Sequence, residues 1–73
     1  MRLTLNGVSK ELPDEIGTLE ELIRHLGIHR MIVVEHNGEI HRRDRFAGVR
    51  LKDGDVLEIV HMVGGGSLAG GGR

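Results

Sequence analysis

The sequence predicts an α+β fold, a β-sheet with one helix packed across one face, and three observations predict it. Two Asn-Gly pairs, Asn6-Gly7 and Asn37-Gly38, stand between strand-forming segments, and Asn-Gly supplies the positive φ angles of a tight hairpin. Between the hairpins, Leu19, Leu22, Ile23 and Leu26 recur at the spacing of one helix face. A run rich in β-branched residues, Val56 to Val63, forms a last strand before a glycine-rich end. Hairpin, helix, hairpin and strand in one short chain make an α+β sheet with the helix on one side.

Each element follows from local chemistry. Leu3 and Leu5 alternate with polar neighbours, and Val8 and Leu12 keep that parity beyond the first turn. Lys10 falls on the apolar side of this register, which implies either a stem lying along the core edge or a turn longer than two residues. Pro13 to Gly17 is a polar connection. Thr18 then stands three residues before Glu21, the capping-box spacing in which each side chain satisfies the other's backbone donor. Glu20, Glu21, Arg24 and His25 face away from the apolar stripe, and Gly27 suits a left-handed stop. Met31 to Val34 is apolar without alternation and holds three β-branched residues, so it reads as a strand covered on both sides and central in the sheet. The chain returns through Glu39, Ile40 and His41. Residues 42 to 52 are a basic, irregular excursion pinned to the body by Phe46, Val49 and Leu51, and Asp53, Gly54 and Asp55 make the next turn.

The 73 residues hold one small domain. Apolar residues make up 38%, and Phe46 is the one aromatic, so nine Leu, seven Val and six Ile build an aliphatic core with Met as filler. Six of the 12 glycines fall in the last ten residues, where Leu68 is the only sizeable apolar side chain. Such a segment does not offset the entropy of being ordered. The domain therefore spans residues 1–63, and residues 64–73 form a flexible glycine-rich tail.

The net charge of −1 argues against nonspecific nucleic-acid binding, and a single aromatic leaves no base-stacking platform. The longest apolar run, Met31 to Val34, is far below the roughly 18 to 20 residues of a membrane span. Thr4 and Asn6 interrupt any secretory apolar segment. Without cysteine there is no disulfide framework, thiolate metal site or thiol nucleophile. The expectation is a cytoplasmic protein, monomeric when free, with neither nucleic acid nor membrane as partner. Charge is nevertheless segregated: Glu11, Asp14, Glu15, Glu20 and Glu21 accompany Lys10 alone, whereas Arg42, Arg43, Arg45, Arg50 and Lys52 face only Asp44. Either these are two ordinary solvated faces, or the surface is dipolar and steers a protein partner, with Arg42, Arg43 and Arg45 as docking residues.

No side-chain constellation points to catalysis. Gly64 to Gly66 lacks the following helix that a phosphate-cradling loop opens onto. His25 and His29 have metal-ligand spacing, but Gly27 ends the helix between them; His36 and His41 flank the second hairpin, His61 lies in the last strand, and no three converge. Glu20 with Glu21, and Asp53 with Asp55, are paired only in sequence, and Ser67 has no identifiable His and Asp around it. The glycine end is then either a plain linker or itself a substrate. A terminal carboxylate that a partner converts with ATP to an acyl adenylate can exchange the adenylate for sulfur, giving a thiocarboxylate. Glycine suits that role, because a chain without Cβ enters a narrow channel at any φ, and each extended residue reaches roughly 3.3 Å farther.

Five pieces carry a resemblance: Asn6-Gly7; Thr18-Leu19-Glu20-Glu21-Leu22; Asn37-Gly38-Glu39-Ile40; Leu51-Lys52-Asp53-Gly54-Asp55-Val56-Leu57-Glu58-Ile59-Val60; and Val63-Gly64-Gly65-Gly66. In this order and spacing, over residues 1 to 66, they resemble the ThiS family, the sulfur carriers of thiamine biosynthesis. The resemblance implies a ubiquitin-like β-grasp, a mixed sheet with one main helix across one face, and a carrier with no bound cofactor in place of an enzyme. It implies that an E1-like adenylyltransferase, using ATP and magnesium, adenylates the terminal glycine. Sulfur then originates from a cysteine desulfurase or another donor and passes to thiazole synthase. Carried onto this sequence, the acceptor is Gly66, with Gly65 and Gly64 in the partner's channel. The chain departs from the pattern by continuing through Ser67-Leu68-Ala69-Gly70-Gly71-Gly72-Arg73. An appended remnant, an extension that a protease removes to expose Gly66, and loss of Arg73 to expose Gly72 each reconcile it. Gly66 is preferred for its short spacing from the last strand, with Gly72 the fallback. The rival readings are a carrier for molybdopterin, cysteine or a secondary metabolite, and a noncatalytic β-grasp interaction module.

Overall fold

The computed structural model describes residues 1–62; Val63, the domain boundary after it, and Gly64, Gly65, Gly66 and Gly72 lie outside the described residues. Strands Arg2–Leu5 (β1) and Val8–Glu11 (β2) lead to helix Leu19–Leu26 (α1), then to Ile32–His36 (β3), Glu39–Arg42 (β4), a 3₁₀ helix Arg43–Gly48, and Val56–His61 (β5). The sheet order is β2-β1-β5-β3-β4. β1 and β5 run parallel and the other neighbours antiparallel, so the sheet is mixed.

The helix begins and ends where its caps place it. The Thr18 side chain accepts from the Glu21 amide at 3.2 Å, while Glu21 Oε1 accepts from the amides of Thr18 and Gly17 at 3.1 and 2.7 Å. The Gly17 and Thr18 N–H groups hold the Glu21 carboxyl below its ordinary value. Gly27 closes the helix at φ 73°. Its apolar stripe buries Leu19, Leu22 and Ile23 against Leu3, Leu5, Ile32, Val34 and Leu57 of the sheet.

Two strand expectations need correction. The last strand, and not the Met31 to Val34 run, holds the centre: β5 is bonded to β1 on one side and to β3 on the other. Each hairpin presents one free inner edge, and β5 satisfies both. Met31 stays outside β3 and is 70% exposed. Ile32 and Val34 enter the core, whereas Val33 points to the uncovered face and is half-buried. The unbroken apolar run therefore reflects two differently covered faces. The described strand also ends at His61, not Val63, although the Met62 amide still donates to the Met31 carbonyl at 3.0 Å.

The first turn has two residues, since Leu5 stands opposite Val8, and Lys10 lies opposite Leu3 on the core face. Parity survives there but burial does not, because β2 is an edge strand exposed along its whole length, Val8 included. The 42–52 excursion is more regular than expected. It contains the 3₁₀ helix, and Leu19 N–H to Val49 O at 2.8 Å and Leu51 N–H to Gly17 O at 3.0 Å lash it to the helix entry. Phe46, Val49 and Leu51 are buried as expected, the first at 1% exposure.

The turn asparagines do more than turn. Asn6 and Asn37 adopt φ of 47° and 49°, and their side chains continue the pairing of β5. Asn6 Oδ1 accepts from the Ile59 amide at 2.6 Å and its Nδ2 donates to the Ile59 carbonyl at 3.1 Å; Asn37 Oδ1 accepts from the Val56 amide at 2.8 Å. Asn6→Gly keeps the left-handed backbone but deletes both bonds, so chemical denaturation should show a loss of about 1–2 kcal/mol. A loss below about 0.3 kcal/mol would mean that the amide adds nothing to β5.

Candidate functional site: the open sheet face

Side chains alternate along the strands, so the residues between the core positions form a face that the helix does not cover. One row across three strands is Arg42, Val33 and Val60, since Val33 pairs with both neighbours; the next is Ile40, Glu35 and Glu58. Ile40 is 68% exposed and Val60 39%. Met31, Val33 and Ile40 line a shallow hollow together with Arg42, Arg43, Asp44 and Met62, the last described residue. An apolar patch rimmed by two arginines and one aspartate thus lies beside the point from which the glycine segment continues.

The three candidate docking arginines are all exposed and share two adjoining hollows, with Arg42 common to both. Arg42 is on the open face beside Val33. Arg45 is exposed and lines an adjoining polar hollow with Glu39, His41, Asp44 and Arg42 itself. Arg43 is exposed as well but makes contacts with the body: its Nη2 donates to the Arg30 carbonyl, and its guanidinium carbon lies 5.8 Å from the centroid of the Phe46 ring. It lines the same hollow as Arg42, and its hydrogen bond to a backbone carbonyl is what distinguishes it.

The structure also gathers polar residues that sequence reasoning kept apart. Asp55, 5% exposed, accepts from Asn37 Nδ2 at 3.0 Å and from the Lys52 amide at 2.9 Å, and its Oδ2 lies 2.8 Å from His36 Nε2. An ionised carboxylate only accepts, so that His36 nitrogen carries the proton. Burial pushes the Asp55 carboxyl up, but the bonds from Asn37, His36 and Lys52 outweigh it and hold the group below the usual carboxylate value. The His36 and His41 rings are 6.3 Å apart. Asp53 Oδ1 accepts from the Arg2 amide at 2.6 Å. The two aspartates are clasps that close the 52–55 turn over the hairpins. No local spacing announces them, because His36 and Asp55 are 19 residues apart. Among the described residues, no group of three or more His, Cys, Asp or Glu could hold a metal ion, and no helix is long and apolar enough to cross a membrane.

A model of the ThiS family matches residues 3–66, from within β1 through β5 to Gly66. Over 65 residues the chain is 40% identical to the Sulfur carrier protein ThiS of Bacillus subtilis, covering 88% of this chain and 98% of that protein. The chain belongs to the ThiS family. A crystal structure of a thiamine biosynthesis protein (ThiS) from Geobacter metallireducens superposes with a TM-score of 0.75 at 34% identity, covering 90% of this chain and 100% of that one. A solution structure of a thiamine biosynthesis protein from Geobacter metallireducens gives 0.72 at 32% identity, covering 100% and 97%. The architecture is accordingly the ubiquitin-like β-grasp of ThiS proteins. The chain is also 41% identical over 68 residues to a thiazole synthase of Paramagnetospirillum magneticum, covering 92% of this chain and 21% of that protein. As a ThiS protein, this chain is a sulfur carrier of thiamine biosynthesis and not a catalyst.

Proposed function

We propose that Gly66 is the acyl acceptor and that Gly64 and Gly65 thread the partner's channel. The observation that supports this reading is the family match, whose last matched residue is Gly66. An E1-like adenylyltransferase using ATP and magnesium joins the Gly66 carboxylate to the α-phosphate with release of pyrophosphate. Sulfide, the form to which a thiol reductant releases the persulfide sulfur of a cysteine desulfurase, then attacks the acyl carbon, AMP leaves, and a thiocarboxylate remains. Thiazole synthase takes up that sulfur, a recipient supported by the likeness of nearly the whole chain to part of a protein of that name. The work belongs in the cytoplasm, where ATP is supplied. The open face of β3, β4 and β5 docks on the adenylyltransferase, with Arg42 and Arg45 steering approach.

The test is intact-mass analysis of three chains, ending at Gly66, Gly72 and Arg73, each incubated with adenylyltransferase, magnesium-ATP and sulfide. The chain ending at Gly66 should gain the mass difference of one oxygen replaced by sulfur, and the chain ending at Arg73 should not. Conversion of the Gly72 form alone would move the acceptor to the fallback position. No conversion of any form by an enzyme active on another ThiS protein would favour the interaction-module reading.

A further inference from the structure

The commitment of Arg43 to the body has a consequence for the reacting end. The Arg43 guanidinium lies over Phe46, which is buried at 1% exposure, and donates to the carbonyl of Arg30. Arg30 and Met31 lead the chain from the helix into β3, and both are exposed, so the contacts of the entry to β3 with the core come late, at Ile32. The carbonyl of Met31, one peptide after the one Arg43 holds, receives the Met62 amide at 3.0 Å. Buried ring, guanidinium, Arg30 carbonyl, Met31 carbonyl and Met62 amide therefore form one continuous chain of contacts from the core to the last described residue. The neighbouring pair, Ile32 opposite His61, is the final rung of the β3–β5 ladder.

We propose that Arg43 is a positioning residue for the carrier chemistry: by holding the Arg30 carbonyl it fixes the outermost β3–β5 contact at Met62, and thereby the point and direction from which the glycine segment enters the partner. The inference rests on the reading of Gly66 as the acceptor. A bidentate, planar cation is suited to the task, since it lies flat on a ring and still presents N–H groups at its edge. A reacting end delivered from a fixed origin meets the activating enzyme with less orientational freedom to lose, and small misplacements far from the chemistry lower rates. Arg42 and Arg45 differ in kind. Their charges act through solvent, so their effects weaken with salt, whereas Arg43, though also exposed, acts through a short hydrogen bond to a neutral carbonyl, which salt screens little.

Two measurements on the chain ending at Gly66 decide the matter. In the free chain, Arg43→Ala should speed hydrogen exchange of the Met62 amide about tenfold and leave that of Ile59 unchanged, while Arg45→Ala changes neither. With adenylyltransferase and magnesium-ATP, Arg43→Ala should lower the saturated rate of pyrophosphate release about fivefold with KM within about twofold, equally at low and high salt. Arg43→Lys, which keeps the charge but not the planar fork, should recover only part of that rate. A variant that raises KM at low salt alone, is fully restored by lysine and exchanges Met62 normally would make Arg43 a docking residue and overturn the proposal. Faster exchange with an unchanged reaction rate would overturn it as well. If the chain with Arg43 intact is not adenylated by an enzyme active on another ThiS protein, the acceptor reading itself falls and the proposal with it, whatever the exchange data show.

Discussion

Phe46→Ala should cost about 3–5 kcal/mol, the range for deleting a buried aromatic side chain. A domain of residues 1–63 has roughly 3–9 kcal/mol of stability to lose, so the variant should be poorly folded near body temperature. Phe46 is the one aromatic in the chain and is 1% exposed. It fastens the 43–48 helix to the body and supports the Arg43 guanidinium. Its removal leaves a cavity and also frees the excursion that carries all three candidate arginines. Phe46→Leu, which preserves most of the volume, should cost no more than about 1.5 kcal/mol. Urea denaturation followed by circular dichroism measures both. A loss below about 1 kcal/mol for the alanine variant would show that the excursion is held by its backbone bonds to Gly17 and Leu19 and not by its aromatic anchor.

Asp55→Ala should cost about 3 kcal/mol, because it strands the His36, Asn37 and Lys52 donors that converge on one buried carboxylate. The same residue sets an acid limit on stability. Its pKa is lowered in the folded chain, so the unfolded chain takes up the proton first as pH falls. The stabilisation is fully present above the unfolded value, about pH 4, and drains away as pH drops through the folded value. The stability advantage of the parent over Asp55→Asn should therefore stay level from neutral pH to about pH 4 and narrow below it. Urea midpoints across that series provide the measurement. An advantage that persists undiminished to about pH 2 would show that the carboxylate is not held in its ionised form by the fold.

The legible features are those whose partners lie close along the chain. Thr18 and Glu21 are three residues apart, and the bonds they exchange are the ones their spacing specifies. Asn6-Gly7 and Asn37-Gly38 turn where their backbone preferences require. Leu19, Leu22 and Ile23 bury the face that the helical period assigns them. Of the candidate site, the family-like order of motifs up to Gly66 was readable, as was the basic character of residues 42–52. Which of those arginines is spoken for was not, because the acceptor for Arg43 is a carbonyl 13 residues away, and no residue type marks a carbonyl as available.

By itself, then, the sequence determined the element order, the caps and turns, the aliphatic core with its Phe46 pin, and membership of a carrier family whose matched segment ends in glycine. Those properties depend on backbone preference and side-chain period, which act over a few residues. Only the tertiary structure decided that β5 separates the two hairpins, that Asp55 gathers donors from Asn37, His36 and Lys52, and that Arg43 braces the entry to β3 where Met62 is held. These depend on which distant edges meet when the sheet closes beneath the helix, and burial and hydrogen-bond satisfaction over the whole domain select that arrangement.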